Sequence, residues 1–133
     1  MHETKLVHDI LSLVLGEAAQ GERVTRIELS LGELAGHTPE ALTFHFKQAA
    51  RGTAAEGASL EAVPVEVRPV CASCERSVPL GPASCPHCGG AAIVPGARDV
   101  RLEAFDLSEP VTGRVRTVRV PGGRMLQPAH VHE

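Results

Sequence analysis

The sequence has no tryptophan and no tyrosine, and its aromatic residues are limited to Phe44, Phe46 and Phe105. Aromatic side chains form the platforms on which many proteins stack bases and sugars, so this shortage argues against both classes of ligand. Basic residues are also too few for a nucleic-acid binder, since 13 Lys and Arg stand against 16 Asp and Glu. Proteins that bind DNA or RNA usually carry a basic face, and we therefore expect no nucleic-acid partner.

Long hydrophobic runs are missing as well. The apolar segment Leu6–Leu15 is too short for a membrane span and is interrupted by His8, Asp9 and Ser12. It also lacks the basic start and the cleavage site of a signal peptide. We expect a cytoplasmic protein without a membrane partner, in which thiols stay reduced. With 133 residues, 43% of them hydrophobic, the chain has the size of one globular domain with a small insert.

Two segments have the period of amphipathic helices. The first covers about the first twenty residues, and its apolar side chains recur on one face: Leu6, Ile10, Leu13 and Val14. The second begins at Thr38 and Pro39, a capping residue followed by proline at the first helical position. It runs to about Ala50.

Three segments are typical of strands: Val24–Leu31, Leu60–Val67 and Arg98–Leu107. The first and third alternate apolar with polar residues, as half-buried strands do. The second contains Pro64, which cannot donate to a ladder, so we expect this strand at a sheet edge or broken there.

The last 26 residues, 108–133, differ from the body in charge. They carry four Arg against two Glu, a net of +2, whereas residues 1–107 carry nine basic and fourteen acidic residues, a net of -5. We expect Arg114–Val120 to add at most an edge strand that Pro121, Gly122 and Gly123 break, with a mobile segment after it. His130 and His132 with Glu133 are candidate metal ligands, although a solvated tail is the favoured interpretation.

Four cysteines form the most informative pattern. Cys71 and Cys74 make one CxxC pair, Cys85 and Cys88 make another, and ten residues separate the pairs. Each pair places two thiolates on one side of a tight turn, and two facing turns complete a tetrahedral zinc site. Residues 69–97 hold few large apolar side chains, so this segment needs such a staple to fold. A hairpin between the pairs, with Val78 and Leu80 as strand residues, fits the spacer.

Two alternatives for the cysteines are less favoured. Paired disulfides are unusual in a reducing compartment, and a rubredoxin-like iron site usually has aromatic residues around the sulfurs, which this segment lacks. Four thiolates leave zinc no open position, so its role is structural and not catalytic. His87 lies between two ligands and is a substitute ligand in principle, but we expect it to face solvent.

The amino terminus is a second candidate metal site. The amine of Met1, the amide nitrogen of His2 and the His2 imidazole can form fused chelate rings, and with one more amide they give a square-planar nitrogen site. Ni(II) and Cu(II) favour that geometry. Taken alone the pattern is weak, because a histidine at position 2 is often incidental.

Several motifs in one order resemble the HypA/HybF family of nickel metallochaperones. They are Met1-His2-Glu3 before an amphipathic helix, Ile27–Gly36 (IELSLGELAG), Thr38–Leu42 followed by Phe44 and Phe46, Gly52–Leu60 (GTAAEGASL), and both CxxC pairs. Together they cover about residues 1–107, and such a set is far more specific than a zinc ribbon alone.

The resemblance implies an α+β fold in which two helices pack on a small mixed or antiparallel sheet, with an inserted zinc-ribbon subdomain. The nickel-binding domain then spans 1–68 and 98–107, the zinc ribbon spans 69–97, and 108–133 is a C-terminal extension. Nickel is assigned to Met1, His2 and Glu3, and zinc to Cys71, Cys74, Cys85 and Cys88.

The implied function is delivery of nickel during [NiFe]-hydrogenase maturation, with urease as a further target and no catalysis. The implied partners are the GTPase HypB and the precursor of the hydrogenase large subunit, and a homodimer is also considered. Two other classes compete. A zinc-ribbon module that binds protein or nucleic acid is the alternative, and a small metalloenzyme lacks the open site or nucleophile–base pair that it needs.

Overall fold

The computed structural model describes residues 2–33, 35–65, 68–79, 81–95 and 97–127. Within these residues the elements follow in this order: α1 His2–Glu17, β1 Arg23–Gly32, α2 Pro39–Ala49, β2 Ser59–Val65, β3 Val70–Cys71, β4 Ala92–Ile93, β5 Val100–Ser108 and β6 Val115–Gln127. The two helices and the strands β1, β2 and β5 lie where the sequence periodicity predicts them. Val67 and Leu80 lie outside the described residues.

The main sheet has the strand order β2-β1-β5-β6. The neighbours β1 and β2 are parallel because α2 connects them, as a crossover between parallel strands requires. The pairs β1–β5 and β5–β6 are antiparallel. The predicted fold of two helices on a small sheet is thus confirmed, and the sheet is mixed. Its edge strand β2 contains Pro64, in agreement with the sequence.

The helices cover one face of this sheet and form the core with it. The largest fully buried side chains come from both helices, β1 and β5: Val7, Ile10, Val14, Val24, Ile27, Leu29, Leu42, Phe46, Val100, Leu102, Phe105 and Leu107. Leu13, expected on the buried face of α1, is only partly buried. Phe44 is 57% exposed, since it lies on the outer side of α2.

The start of α2 is capped as the sequence predicts. Thr38 has an extended backbone, and its side chain accepts a hydrogen bond from the amide of Ala41 at 3.1 Å. Pro39 follows as the first helical residue, where no amide hydrogen is needed. This cap fixes the point at which the loop after β1 turns into the crossover helix.

The other face of the sheet is polar, and Arg26 joins its strands. Its guanidinium donates to Asp106 on β5 at 3.0 Å, to Glu61 on β2 at 2.8 Å and to Glu28 at 3.3 Å. Asp106 also accepts from the hydroxyl of Thr117 on β6 at 2.6 Å. The Thr117 hydroxyl lowers the pKa of Asp106, burial opposes this, and Arg26 lowers it further. One network therefore crosses all four strands.

The prediction that Pro121, Gly122 and Gly123 end the last strand is wrong. β6 continues to Gln127, with its second half, Arg124–Gln127, paired to β5. The four residues 120–123 lie opposite Glu103 alone, so the Pro-Gly-Gly segment forms a wide irregularity inside the strand. Gly122 and Gly123 have φ of 73° and 74°, a conformation that glycine adopts without strain.

Arg116 of β6 fastens the tail to the end of α1. Its guanidinium makes two hydrogen bonds of 2.9 Å to the carboxylate of Glu22, and a third of 3.3 Å to the carbonyl of Glu17. Glu17 is the last residue of the helix, where carbonyls have no intrahelical partner. The positive tail thus contacts the acidic body through a defined clamp.

We expect this clamp to make stability depend on pH in the acid range. The hydrogen bond from Arg116, with a second from the amide of Ala19, lowers the pKa of Glu22 from 4.5 to about 2. A lowered folded pKa stabilises the protein above the unfolded value and loses that effect as pH falls through the folded value. Glu22→Gln should therefore melt below the parent at pH 7, and this gap should narrow between pH 4.5 and about 2.

Thermal unfolding followed by circular dichroism across this pH range measures the gap. Glu33→Gln, at an exposed loop position, removes the same charge and serves as the control. Acid loss of a thiolate-bound metal affects all three proteins alike, so the difference between them is informative. A gap of equal size at pH 7 and pH 2 would contradict the assignment.

Candidate metal centre

The first CxxC pair forms a tight turn around the sulfur of Cys71. The amides of Ser73 and Cys74 both donate to this sulfur at 3.3 Å, and the amide of Glu75 donates to the carbonyl of Cys71 at 3.0 Å. Glu75 has φ of 66°, the only positive value among the described residues other than glycine. This strained backbone conformation of Glu75 lets the chain reverse direction directly after the second cysteine.

The second pair repeats the same turn with glycine in the strained place. The amide of His87 donates to the sulfur of Cys85 at 3.3 Å, and the amide of Gly89 donates to the carbonyl of Cys85 at 2.9 Å. Gly89 has φ of 79° and corresponds to Glu75 in the first turn. Two turns of one conformation therefore present their sulfurs to each other.

The four sulfurs lie together at the separations of a single tetrahedral ion. All of them lie within 4.8 Å of one another. The sulfurs of Cys71 and Cys88 are 3.4 Å apart, and those of Cys74 and Cys85 are 3.8 Å apart. A Zn–S bond of about 2.3 Å gives an S···S edge of about 3.8 Å. All four are free thiols, and these separations exceed a disulfide bond of about 2.05 Å.

The turns also favour thiolates at the buried positions. Hydrogen bonds from the amides of Cys74 and Ser73 lower the pKa of Cys71 to about 6, although burial opposes them. Burial likewise opposes the lowered pKa of Cys85, which the amides of Cys88 and His87 produce. The Gly90 amide lowers the pKa of Cys88, but the neighbouring thiols outweigh it and raise that pKa to about 11. A divalent cation would relieve this crowding of negative charge.

Position 90 requires glycine because neighbouring side chains leave no room for a Cβ atom there. A Cβ atom at this position would lie 2.9 Å from the sulfur of Cys71 and 2.8 Å from the hydroxyl of Ser73. Real Cβ atoms essentially never come so near another heavy atom. The sequence shows Gly89 and Gly90 as a pair, but only the structure separates the turn residue from the one that leaves room for sulfur.

A short sheet and a very small core hold the turns. Val70 pairs with Ile93 and Cys71 pairs with Ala92, and the buried residues are Cys71, Val78 and Cys85. Val78 is buried and its amide donates to the carbonyl of Pro69 at 3.0 Å, but it belongs to no strand. The expectation that Val78 is a strand residue is therefore wrong, and Leu80 lies outside the described residues. The two short strands lie towards the two ends of the segment, and the CxxC turns occupy the residues between them. Such a core is too small to fold alone.

His87 lies beside the sulfurs but is not one of the four grouped ligands. Its ring nitrogen Nδ1 is 3.2 Å from the guanidinium of Arg76, and the side chain is exposed. Its backbone amide contacts sulfur instead. The solvent-facing position expected from the sequence is the one observed.

The amino-terminal candidates are only partly described. His2 is the first residue of α1, whereas Met1 and the side chains of His2 and Glu3 lie outside the described residues. The first four amides of a helix have no intrahelical acceptor. The amides of His2 and Glu3 thus lie in the first turn of a helix, where amides have no intrahelical acceptor.

A cleft of about 230 Å³ lies between the helices, close to that terminus. It is lined by Thr4, Val7, His8, His45, Gln48 and Ala49. The sequence pattern places His8 and His45 on separate helices and gives no sign that they share one cavity. Packing of α1 against α2 brings them together.

The comparison with known families decides the classification. A family model described as HypA, "Hydrogenase/urease nickel incorporation, metallochaperone", matches residues 1–107. The chain belongs to the HypA family. HypA proteins are hydrogenase maturation factors and nickel metallochaperones, not enzymes. Among the described residues, no helix is long and apolar enough to cross a membrane.

Individual HypA proteins are similar over most of their length. The hydrogenase maturation factor HypA of Methylocella silvestris is 43% identical over 103 residues, covering 74% of this chain and 91% of the relative. That of Xanthobacter autotrophicus is 38% identical over 113 residues, covering 80% and 99%.

Two solved HypA structures share the fold. The solution structure of the Ni metallochaperone HypA from Helicobacter pylori aligns with a TM-score of 0.59 and 18% identity, covering 77% of this chain and 94% of that one. A second HypA solution structure gives a TM-score of 0.67 and 20% identity, covering 79% and 94%. At this identity the likeness concerns the fold alone.

We predict that Cys74→Ala releases the metal and loosens the insert. Removing one of four thiolates leaves an incomplete site, and folding of such a small segment is coupled to metal binding. Metal content by mass spectrometry should fall from one zinc per chain to near zero, while the helix signal in circular dichroism stays. Ser73→Ala is the neighbouring control. Full zinc retention by Cys74→Ala would contradict the four-thiolate site.

Gly90→Ala should weaken metal binding without removing a ligand. The added methyl must displace the sulfur of Cys71 or the side chain of Ser73, and sulfur displacement distorts the tetrahedron. We expect zinc to pass to a chelator at least about tenfold faster, a change of about 1.4 kcal/mol if it appears in affinity. Gly16→Ala meets no atom within 4 Å and is the control. Equal transfer rates would show that the site tolerates the methyl.

Proposed function

We propose that this protein binds Ni(II) at its amino terminus and delivers it during maturation of [NiFe]-hydrogenase, with urease as a further target. The observation that carries the proposal is the position of α1, which starts at His2. The His2 and Glu3 backbone therefore belongs to the first turn of a helix, ahead of the described core, which begins at Leu6. Family membership supports the choice of nickel as the cargo.

The helix start gives these backbone nitrogens suitable chemistry. Amides bind nickel only after losing a proton, and the amides of the first turn lack intrahelical acceptors. The positive end of the helix dipole favours the negative charge that deprotonation leaves. The Met1 amine, the His2 amide and ring, and the Glu3 amide would then supply four nitrogens in a plane.

Square-planar chelation also explains how nickel is released. Fused chelate rings do not fit helical backbone angles, so binding has to open the first turn of α1. Refolding of that turn, or protonation of the amides, weakens the complex. Binding should accordingly release protons and become tighter as pH rises.

The four cysteines are proposed to hold zinc as a structural ion. Their sulfur separations fit one tetrahedral ion, and the amide hydrogen bonds favour thiolates at the two buried positions. Four thiolates leave no position for water or substrate. This site therefore holds the insert together, and the amino terminus carries the exchangeable metal.

Two proteins are the partners in this proposal. The GTPase HypB would act with the protein in nickel delivery, and the precursor of the hydrogenase large subunit would receive the ion. Transfer requires the donor ligands to approach the acceptor closely. A terminal site meets this requirement better than a buried one, and this supports the assignment. A homodimer is also compatible with the proposal.

We predict that His2→Ala abolishes the first nickel binding event and leaves stability nearly unchanged. The described core begins at Leu6, so a change at position 2 should alter unfolding by less than about 0.5 kcal/mol. Isothermal titration of nickel into zinc-loaded protein measures the binding. His8→Ala, one of the cleft histidines, is the matched control and should bind like the parent.

A single residue added before Met1 should have the same effect, because it moves the free amine away from His2. If both variants bind nickel as the parent does, the site lies elsewhere. His130 and His132, outside the described residues, then become the candidates.

A further inference from the structure

The last strand lies beyond the part of the chain that the family shares. The family model ends at residue 107, and β6 begins at Val115. A match covering 80% of this chain already uses 99% of the Xanthobacter relative. That relative has almost no chain left to correspond to β6, which is therefore an addition to the common sheet.

β6 covers one whole edge of that sheet. It pairs with β5 from Val100 to Ser108, the full length of β5. Without it, the outward amides and carbonyls of β5 would form an open edge, which is a template for another strand. Val118, Val120 and Leu126 also pack against the core from β6. The tail thus fills a place that an extended chain of another molecule could fill.

The contacts that hold β6 are ones that a separate strand could replace. The exception is the Arg116–Glu22 ion pair, which is 52% exposed on its arginine side and 10% exposed on its glutamate side. The ladder is interrupted where residues 120–123 face Glu103 alone. The tail is therefore tied chiefly by strand pairing and by three partly buried apolar side chains.

β5 itself has the pattern of a self-complementary strand. Its core side chains are Val100, Leu102, Phe105 and Leu107, placed symmetrically about the point between Glu103 and Ala104. Each of its ladders has two register shifts, and one shift in each ladder leaves Glu103, beside that point, without a partner in register. Antiparallel pairing of two β5 strands would place the core side chains of one copy next to those of the other. Arg101 of each copy would lie beside Asp106 of the other, so that opposite charges are neighbours.

We propose that the edge of β5 is a strand-addition site that accepts β5 of a second copy of this chain, and that residues 114–127 cover it from within the molecule. The tail acts as a built-in competitor. It keeps the β5 edge closed by pairing with β5 along its length. The proposal does not depend on nickel, and its test needs none.

Truncation after Gly113 tests the proposal in the zinc-loaded protein. Sedimentation should show a reversible dimer for 1–113 whose association constant is at least tenfold above that of the full chain. A synthetic peptide of residues 114–127 should return the truncated chain to monomer, and a scrambled peptide of the same composition should not. Unchanged sedimentation of 1–113, or a dimer that ignores the peptide, would overturn the proposal.

If the truncated chain 1–113 does not fold, a full-length variant tests whether β6 competes for the β5 edge. Arg116→Glu repels Glu22 and should loosen β6, giving faster amide exchange in residues 115–119 and measurable dimer. Arg51→Glu makes the same charge change at an exposed turn position outside this segment and is the control. Adding Glu22→Arg to Arg116→Glu should restore the parent behaviour. If Arg116→Glu exchanges and sediments as the control does, the proposal is wrong.

Discussion

The pairing of β1 with β5 is the contact on which the rest of the molecule depends. It joins segments that are far apart in the chain, from Arg23↔Ser108, separated by 85 residues, to Leu31↔Val100, separated by 69. The loop that it closes contains α2, β2 and the whole cysteine segment. Closing so long a loop costs conformational entropy, and burial of Ile27, Leu29, Phe105 and Leu107 against the helices offsets that cost.

The same pairing fixes the base of the cysteine segment. The amide of Gly32, at the end of β1, donates to the carbonyl of Asp99, directly before β5, at 2.8 Å. Beyond this point the hydrophobic core stops, and the small cluster of Cys71, Val78 and Cys85 is separate from it. The proposed structural metal would thus hold the chain where apolar burial is not available. The buried core on one side and the proposed metal coordination on the other thus meet at one backbone hydrogen bond, from Gly32 to Asp99.

The two faces of the sheet have different tasks. One face buries the apolar stripes of α1 and α2, and so positions the helix end proposed to carry nickel. The other face uses Arg26 to join β2, β1 and β5, and Asp106 extends the network to Thr117. Ion pairs on this solvent-exposed face add little stability, but they specify which strands are neighbours. With the proposed metal sites at the helix end and in the insert, this sheet is free to act as a rigid support.

Local patterns in the sequence determined the helices, the strands β1, β2 and β5, the Thr38 cap and the four cysteine ligands. Each of these depends on residues close in the chain, or on a spacing that one ion requires. Tertiary structure decided the rest. The Pro-Gly-Gly segment reads locally as a strand break, yet β6 passes through it because β5 offers a continuous partner on both sides. Gly90 is needed because the sulfur of Cys71 lies against it. His8 and His45 line one cavity because the two helices share one face of the sheet. These contacts join residues that are distant in sequence, so the local hydrophobic periodicity does not predict them.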